Sequence, residues 1–291
     1  MPLFGAHLSS AGGICNALRA AGELACETVQ LFTKNNNQWT GKAVSPEDAA
    51  EFRRLTKSHG LKFVTSHDSY LINLASPDDV LWQKSVTAFV DELRRAEQLG
   101  LAYLVMHPGA HVGSGEEAGL KRVIQGIDEA HRQTPDFKVK ILVELTAGQG
   151  SSLGHRFEHL ATIFDGVEES KRLGVCFDTC HVFAAGYPLA PEADYQRTMT
   201  EFDNLIGLNR LKLFHLNDSK KPQGSRVDRH EHLGQGHLGE EPFRLIVTDP
   251  RFAKLPMILE TPKTNADDEQ MDPVNLGVLR RLREGLEGRK D

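Results

Sequence analysis

Cysteine is scarce in this chain: it occurs only at Cys15, Cys26, Cys176 and Cys180, and no C-x2-C unit appears. A polypeptide of 291 residues buries enough apolar surface to fold without staples, so the thiols are expected to be reduced, as in the cytosol. No apolar run approaches the roughly 20 residues of a membrane span, and the N-terminal MPLFGAHLSS lacks a basic region followed by an apolar one. These absences predict a soluble, unexported, cytoplasmic protein with no membrane partner. Basic excess is missing too, since 34 Lys and Arg against 40 Asp and Glu leave a formal charge of -6. That balance is opposite to the usual footprint of a phosphate-gripping surface. Composition breaks, low-complexity segments and repeats are also absent, which favours a single domain over residues 1–291. With no heptad and no long apolar stripe, a monomer is expected.

What is present is alternation. Short β-branched or apolar runs separated by amphipathic helical patterns recur about every 25 to 45 residues, as repeated βα units do. The eight runs are Leu3–Leu8, Thr28–Phe32, Lys62–Ser66, Ala102–Met106, Val139–Leu145, Gly174–Asp178, Arg210–Leu216 and Pro256–Thr261. Helical patterns between them include Pro46–His59, Ser85–Gln98, Glu116–Arg132, Phe157–Glu169, Ala193–Ile206 and Val274–Glu284. Eight units in a chain of this length predict an α/β fold, a (β/α)8 or TIM barrel, more readily than a doubly wound open sheet.

A barrel carries its chemistry at the C-terminal ends of its strands. Those ends are rich in imidazoles and acids: His7, His67 in TSHDSY, His107 in MHPGAH, Glu144 in LVELTAGQG, Asp178 and His181 in FDTCH, His215 in FHLND, and Glu260 in LETP. The loop GSRVDRHEHLGQG after the seventh run adds Asp228 and His230. Setting His7 aside leaves five histidines and four carboxylates on one face. Four clustered carboxylates repel one another unless cations neutralise them, and the imidazole share points to zinc or a similar transition metal rather than magnesium. Nine ligands suffice for three open sites of three, or for two with spares. His181, Asp228 and His230 would form a set that a folded-over loop completes. The remaining histidines have simpler readings: His59, His131, His155 and His159 lie on helices or their approaches, and His111, His232 and His237 in loops near the site.

Taken together, HDSYLINLA, HPGAH, ELTAGQGSSLG, FDTCHVFAAGYP, HLNDSK and GSRVDRHEHLGQG closely resemble the endonuclease IV family of apurinic/apyrimidinic endonucleases, from Gly5 to about Thr261. The resemblance implies a barrel holding three Zn2+, with Mn2+ possible at some positions, that cuts duplex DNA on the 5′ side of abasic sites. Carried over motif by motif, it implies His67, His107 and Glu144 around one zinc. Asp178, His215, Glu260 and a bridging Glu144 would hold the second, and His181, Asp228 and His230 the third. The implied reaction is metal-assisted phosphodiester hydrolysis, with Glu144 and Glu260 as catalytic residues that orient the nucleophile as well as bind metal. Products would be a 3′ hydroxyl and a 5′ deoxyribose phosphate, and blocked 3′ ends would be trimmed as well.

Three Zn2+ would make the mouth net positive by two and bring the chain from -6 to about zero, which removes the charge objection. Lys34, Lys42, Lys220, Lys221, Arg226 and Arg229 are candidate phosphate contacts, and Asn35 lies in the same loop as Lys34. Detecting a missing base requires side chains that fill the gap, for which Tyr70 and Leu71 stand directly after a ligand. The chain departs from the family in TKNNNQW, where Asn37 replaces a common arginine and Trp39 is the nearest substitute. Milder departures are Leu145, where an asparagine is frequent, and Gln235, where a glutamate is. A sugar isomerase or epimerase on the same barrel would need fewer, more oxygen-rich ligands. A lesion-binding protein without activity would need no open multinuclear site.

Overall fold

The computed structural model describes residues 1–285; the expected domain runs to residue 291, and its last six residues lie outside the described ones. Eight parallel strands close a barrel in the order β1-β10-β7-β6-β5-β4-β3-β2. They are β1 (Leu3–His7), β2 (Thr28–Phe32), β3 (Thr65–His67), β4 (Tyr103–Met106), β5 (Lys140–Glu144), β6 (Leu173–Asp178), β7 (Leu211–His215) and β10 (Pro256–Leu259). The intervening β8 (Asp218–Ser219) and β9 (His230–Glu231) form a small antiparallel pair outside it. Around the barrel lie α1 (Asn16–Glu23), α2 (Pro46–Ser58), α3 (Asp79–Leu99), α4 (Glu116–Gln133), α5 (Phe157–Gly166), α6 (Thr179–Ala185), α7 (Glu192–Leu205), α8 (Glu241–Thr248) and α9 (Asp272–Glu284). The expected (β/α)8 architecture is therefore the one observed. Among the described residues no helix is long and apolar enough to cross a membrane.

Strand pleat explains how the sequence aims its chemistry. Val105, Leu142, Cys176, Leu213 and Ile258 form a small core cluster of their own inside the barrel. Met106, Val143, Phe177, Phe214 and Leu259 belong instead to the large cluster beneath the helices. Because side chains alternate faces, the residue two beyond each interior one returns to the barrel axis at its C-terminal rim. Those residues are His107, Glu144, Asp178, His215 and Glu260. Gly5 lets β1 approach β2, since a Cβ there would lie 2.0 Å from the Thr28 carbonyl oxygen.

Some boundaries differ from the expected ones. The third strand begins at Thr65 rather than Lys62, because Phe63 adopts φ +51° and breaks the extended run. The third helix begins at Asp79 rather than Ser85, where Asp78 caps it by accepting from Leu81 N–H at 2.7 Å. The fifth helix stops at Gly166, short of Glu169. The loop after the seventh strand contains paired backbone, since Ser219 faces His230 across β8 and β9.

Candidate metal centre

All nine expected ligands converge at the barrel mouth. Glu144 lies at the centre with its side chain fully buried; Oε2 is 3.1 Å from His67 Nε2 and 3.3 Å from His107 Nε2. Its Oε1 is 3.1 Å from both His215 Nδ1 and His181 Nδ1. Glu260 Oε2 is 3.2 Å from His215 Nδ1, and Asp178 Oδ2 is 3.8 Å from the same nitrogen. On the far side, Asp228 reaches His181 Nε2 at 3.1 Å and His230 Nε2 at 3.3 Å. Ligand-capable atoms of His67, His107 and Glu144, and of Asp178, His181 and His230, meet metal-like spacing within each group.

In the neutral rings that a metal would require, the nitrogens facing the centre are the ones left with lone pairs. His67 Nδ1–H donates to the Asp68 carbonyl at 2.9 Å, His181 Nδ1–H to the Leu145 carbonyl at 3.0 Å, and His230 Nδ1–H to the Glu260 carbonyl at 3.1 Å. Each bond leaves Nε2 unprotonated in the neutral ring. His215 is reversed: its Nε2–H donates to Gln30 Oε1 at 2.9 Å, which frees Nδ1. Buried His181 Nε2 and His230 Nε2 have no hydrogen-bond partner although Asp228 is beside them. Donors that point past each other toward a common space fit a cation better than they fit one another.

The field of the site favours positive charge. Burial by itself would lower the pKa of His67, but Glu144, Asp68 and Glu260 outweigh it and raise the ring to about 10. His230 rises to about 9 against the same burial, through Asp178 and Asp228. Glu260 is held below the usual carboxylate range, its burial outweighed by His215 and His7. Dications answer the same field that these protons do.

Supporting residues that the sequence did not single out sit one layer away. Asn217 donates to Asp178 Oδ2 at 2.7 Å and accepts from Glu260 N–H at 2.8 Å. Gln30 donates to Glu260 Oε1 at 2.6 Å, and His7, set aside at first, lies 3.1 Å from that oxygen. Asp178 also caps α6, accepting from His181 N–H at 2.8 Å, so one carboxylate fixes the backbone of the neighbouring candidate ligand. Asp218 gathers the turn after β9 by accepting from the backbone N–H of Gly234, Gly236 and Leu238 at 2.9–3.0 Å. Gly236 is required there, since a Cβ would stand 2.4 Å from Asp218 Oδ1.

Among the expected DNA contacts, Tyr70 is 62% exposed with its ring 6.0 Å from that of His67, and Leu71 is half-buried beside it. Asn35 and Asn37 are exposed, with the Asn37 N–H bonded to Asn35 Oδ1 at 2.9 Å. Arg229 is exposed and donates to the Asp228 carbonyl at 2.6 Å. Lys34 is a correction: it is buried and ion-paired with Glu92, both side chains 2% exposed, so its ammonium holds the loop together instead of facing a phosphate. Trp39 is half-buried, with Lys84 Nζ 4.3 Å from its ring centroid, so one indole face is already covered.

Glu116, His155 and His159 form a separate group with metal-like spacing. Its lone pairs are taken: His159 Nδ1 accepts from Gly154 N–H at 3.2 Å, which leaves the proton on Nε2, 3.2 Å from Glu116. Arg226 stands 3.5 Å from His155 Nε2. A hydrogen-bonded cluster is the consistent reading.

Fold and mouth together define a barrel metalloenzyme with acids and imidazoles on every contributing strand end. Residues 18–282 match a family model described as a xylose isomerase-like TIM barrel. The probable endonuclease 4 of Citrifermentans bemidjiense is 52% identical over 285 residues, covering 98% of this chain and 100% of that protein. That of Chloroflexus aurantiacus is 52% identical over 287 residues, covering 99% and 100%. The crystal structure of endonuclease IV from Thermus thermophilus superposes with a TM-score of 0.86 at 38% identity, covering 98% and 100%. A D-tagatose 3-epimerase-like protein shares the fold alone, at 20% identity and a TM-score of 0.73. The chain belongs to the endonuclease IV family, and it is an endonuclease of the hydrolase class.

Proposed function

We propose that this enzyme hydrolyses the phosphodiester on the 5′ side of abasic sites in duplex DNA, using three Zn2+ and leaving a 3′ hydroxyl and a 5′ deoxyribose phosphate. Trimming of blocked 3′ ends follows from the same chemistry, and Mn2+ would serve at some positions. The observation that carries this reading is the convergence of five imidazoles and four carboxylates on one rim. His67, His107 and Glu144 would hold one ion, Asp178, His215, Glu260 and Glu144 the second, and His181, Asp228 and His230 the third. When bound, zinc supplies a water acidified toward neutral pH and positive charge for the phosphate.

This chain's own residues do the rest. Glu144, with no solvent exposure, fixes the spacing between the first two sets and presents a carboxylate oxygen to each. Glu260, kept ionised by His215, faces the same space and orients the nucleophile. The third set joins His181 of α6 to Asp228 and His230 of the loop that ends in β9, and an ion there would help stabilise the departing 3′ oxygen. Tyr70 stands exposed beside the first set and would occupy the space of the missing base. Without Lys34, phosphate contacts fall to exposed Lys42, Lys220, Lys221, Arg226 and Arg229. A cytoplasmic monomer is the matching physical state.

A duplex carrying one abasic site tests the reading. Zinc-loaded protein should nick it once and leave a 3′ end that a polymerase extends directly. Binding without a nick would refute it, and a sugar epimerised by the same preparation would support the epimerase alternative.

A further inference from the structure

Val112 occupies a costly conformation without a packing reason. It sits at φ +44°, where a β-branched side chain is strained, and it is 62% exposed, so burial offers no compensation. The nearby Gly113 and Gly115 adopt φ +89° and +91°, as glycine does freely. Three mouth loops enforce the strained position. Val112 N–H donates to Ser151 Oγ at 3.2 Å and His111 N–H to the Ser151 carbonyl at 3.1 Å. Ala110 bridges Ser152, and Asn73 holds both backbone groups of Ala110 at 2.9 Å. The loop starts at the ligand His107, and its Ser151 partner lies two residues beyond Gln149, which accepts from Asp228 N–H at 3.1 Å. An exposed apolar residue therefore sits on a loop whose backbone is tied to the loops that follow the proposed ligands His67 and Glu144.

We propose that Val112 is a substrate-contacting residue, its isopropyl group packing on the deoxyribose faces of the strand that crosses the rim beside the abasic site. The proposal rests on the DNA reading above. Strain in the free protein is offset when the side chain leaves water on binding. An apolar contact of this kind is insensitive to ionic strength, unlike the phosphate contacts around it.

Steady-state cleavage of an abasic duplex by V112N and V112I tests this. Asparagine accepts positive φ, so V112N should melt no lower than the wild type, yet its KM should rise about tenfold at unchanged kcat. That ratio should be the same at low and high salt, V112I should keep the wild-type KM, and hydrolysis of bis(p-nitrophenyl) phosphate should be unaltered in both. A V112N enzyme whose KM stays within about twofold of wild type, or whose defect vanishes at high salt, overturns the proposal while the DNA reading stands. A wild-type enzyme that leaves the abasic duplex uncut overturns both.

Discussion

Asn217 makes the role of the supporting layer measurable. It is fully buried, its amide donates to Asp178 Oδ2 at 2.7 Å, and its Oδ1 accepts from Glu260 N–H at 2.8 Å. Asn217→Ala removes both bonds without touching a proposed ligand. The unpaired Glu260 N–H costs about 1–3 kcal/mol of stability, which a domain stabilised by about 5–15 kcal/mol survives. For cations, loss of a partner that orients a ligand weakens binding by about 10- to 100-fold, or about 1.4–2.7 kcal/mol. The loss should be uneven. Asp178 and Glu260 are proposed for the second set, whereas Asn217 makes no hydrogen bond to His67 or to His107, which stand at the ends of β3 and β4. Stepwise extraction by a competing chelator should release one ion from the variant at correspondingly lower chelator concentration and leave the first set's ion as in the wild type. Uniform weakening of every ion, or no change, would refute the assignment of Asn217 to Asp178 and Glu260.

Other consequences follow from the same geometry. Glu144→Ala should lower cleavage by at least about a thousandfold and reduce bound zinc, with the circular dichroism of the barrel retained; full activity would refute its central place. Asn37→Arg should tighten binding to abasic DNA about tenfold and steepen its salt dependence, because the site is exposed; unchanged affinity would mean that another side chain fills the gap. His131 is buried with neither ring nitrogen hydrogen-bonded, and burial followed by Arg172 lowers its pKa to about 4. Its unfolded-state pKa is higher, near 6.5, so its contribution is intact above pH 6.5 and declines as pH falls toward 4. The loss reaches about 3 kcal/mol, and His131→Phe should abolish that part of the pH dependence in denaturant titrations at pH 4.5 and 7.5. A parallel decline in wild type and variant would contradict it.

The mouth was legible in the sequence because strand alternation is rigid: an interior apolar residue at 142, 176, 213 or 258 puts a rim residue at 144, 178, 215 or 260. His181 was legible for a related reason, being held by the cap that Asp178 makes on α6. Lys34 was misread because TKNNNQ has the composition of an exposed basic loop, while its partner Glu92 lies on α3, 58 residues away. Gln30 and Asn217 resemble ordinary polar residues in their local segments; only the closed barrel brings Gln30 to Glu260, across 230 residues of chain. Phe63 delayed the start of the third strand to Thr65 by a positive φ that β-propensity opposes.

Zinc content per chain tests the central claim most directly. Protein purified with zinc, passed through a desalting column and assayed by atomic emission should retain three ions, and Asp228→Ala should retain two. A wild-type protein that retains no zinc, or whose content is unchanged by Asp228→Ala, would contradict the assembly of nine ligands at the barrel mouth.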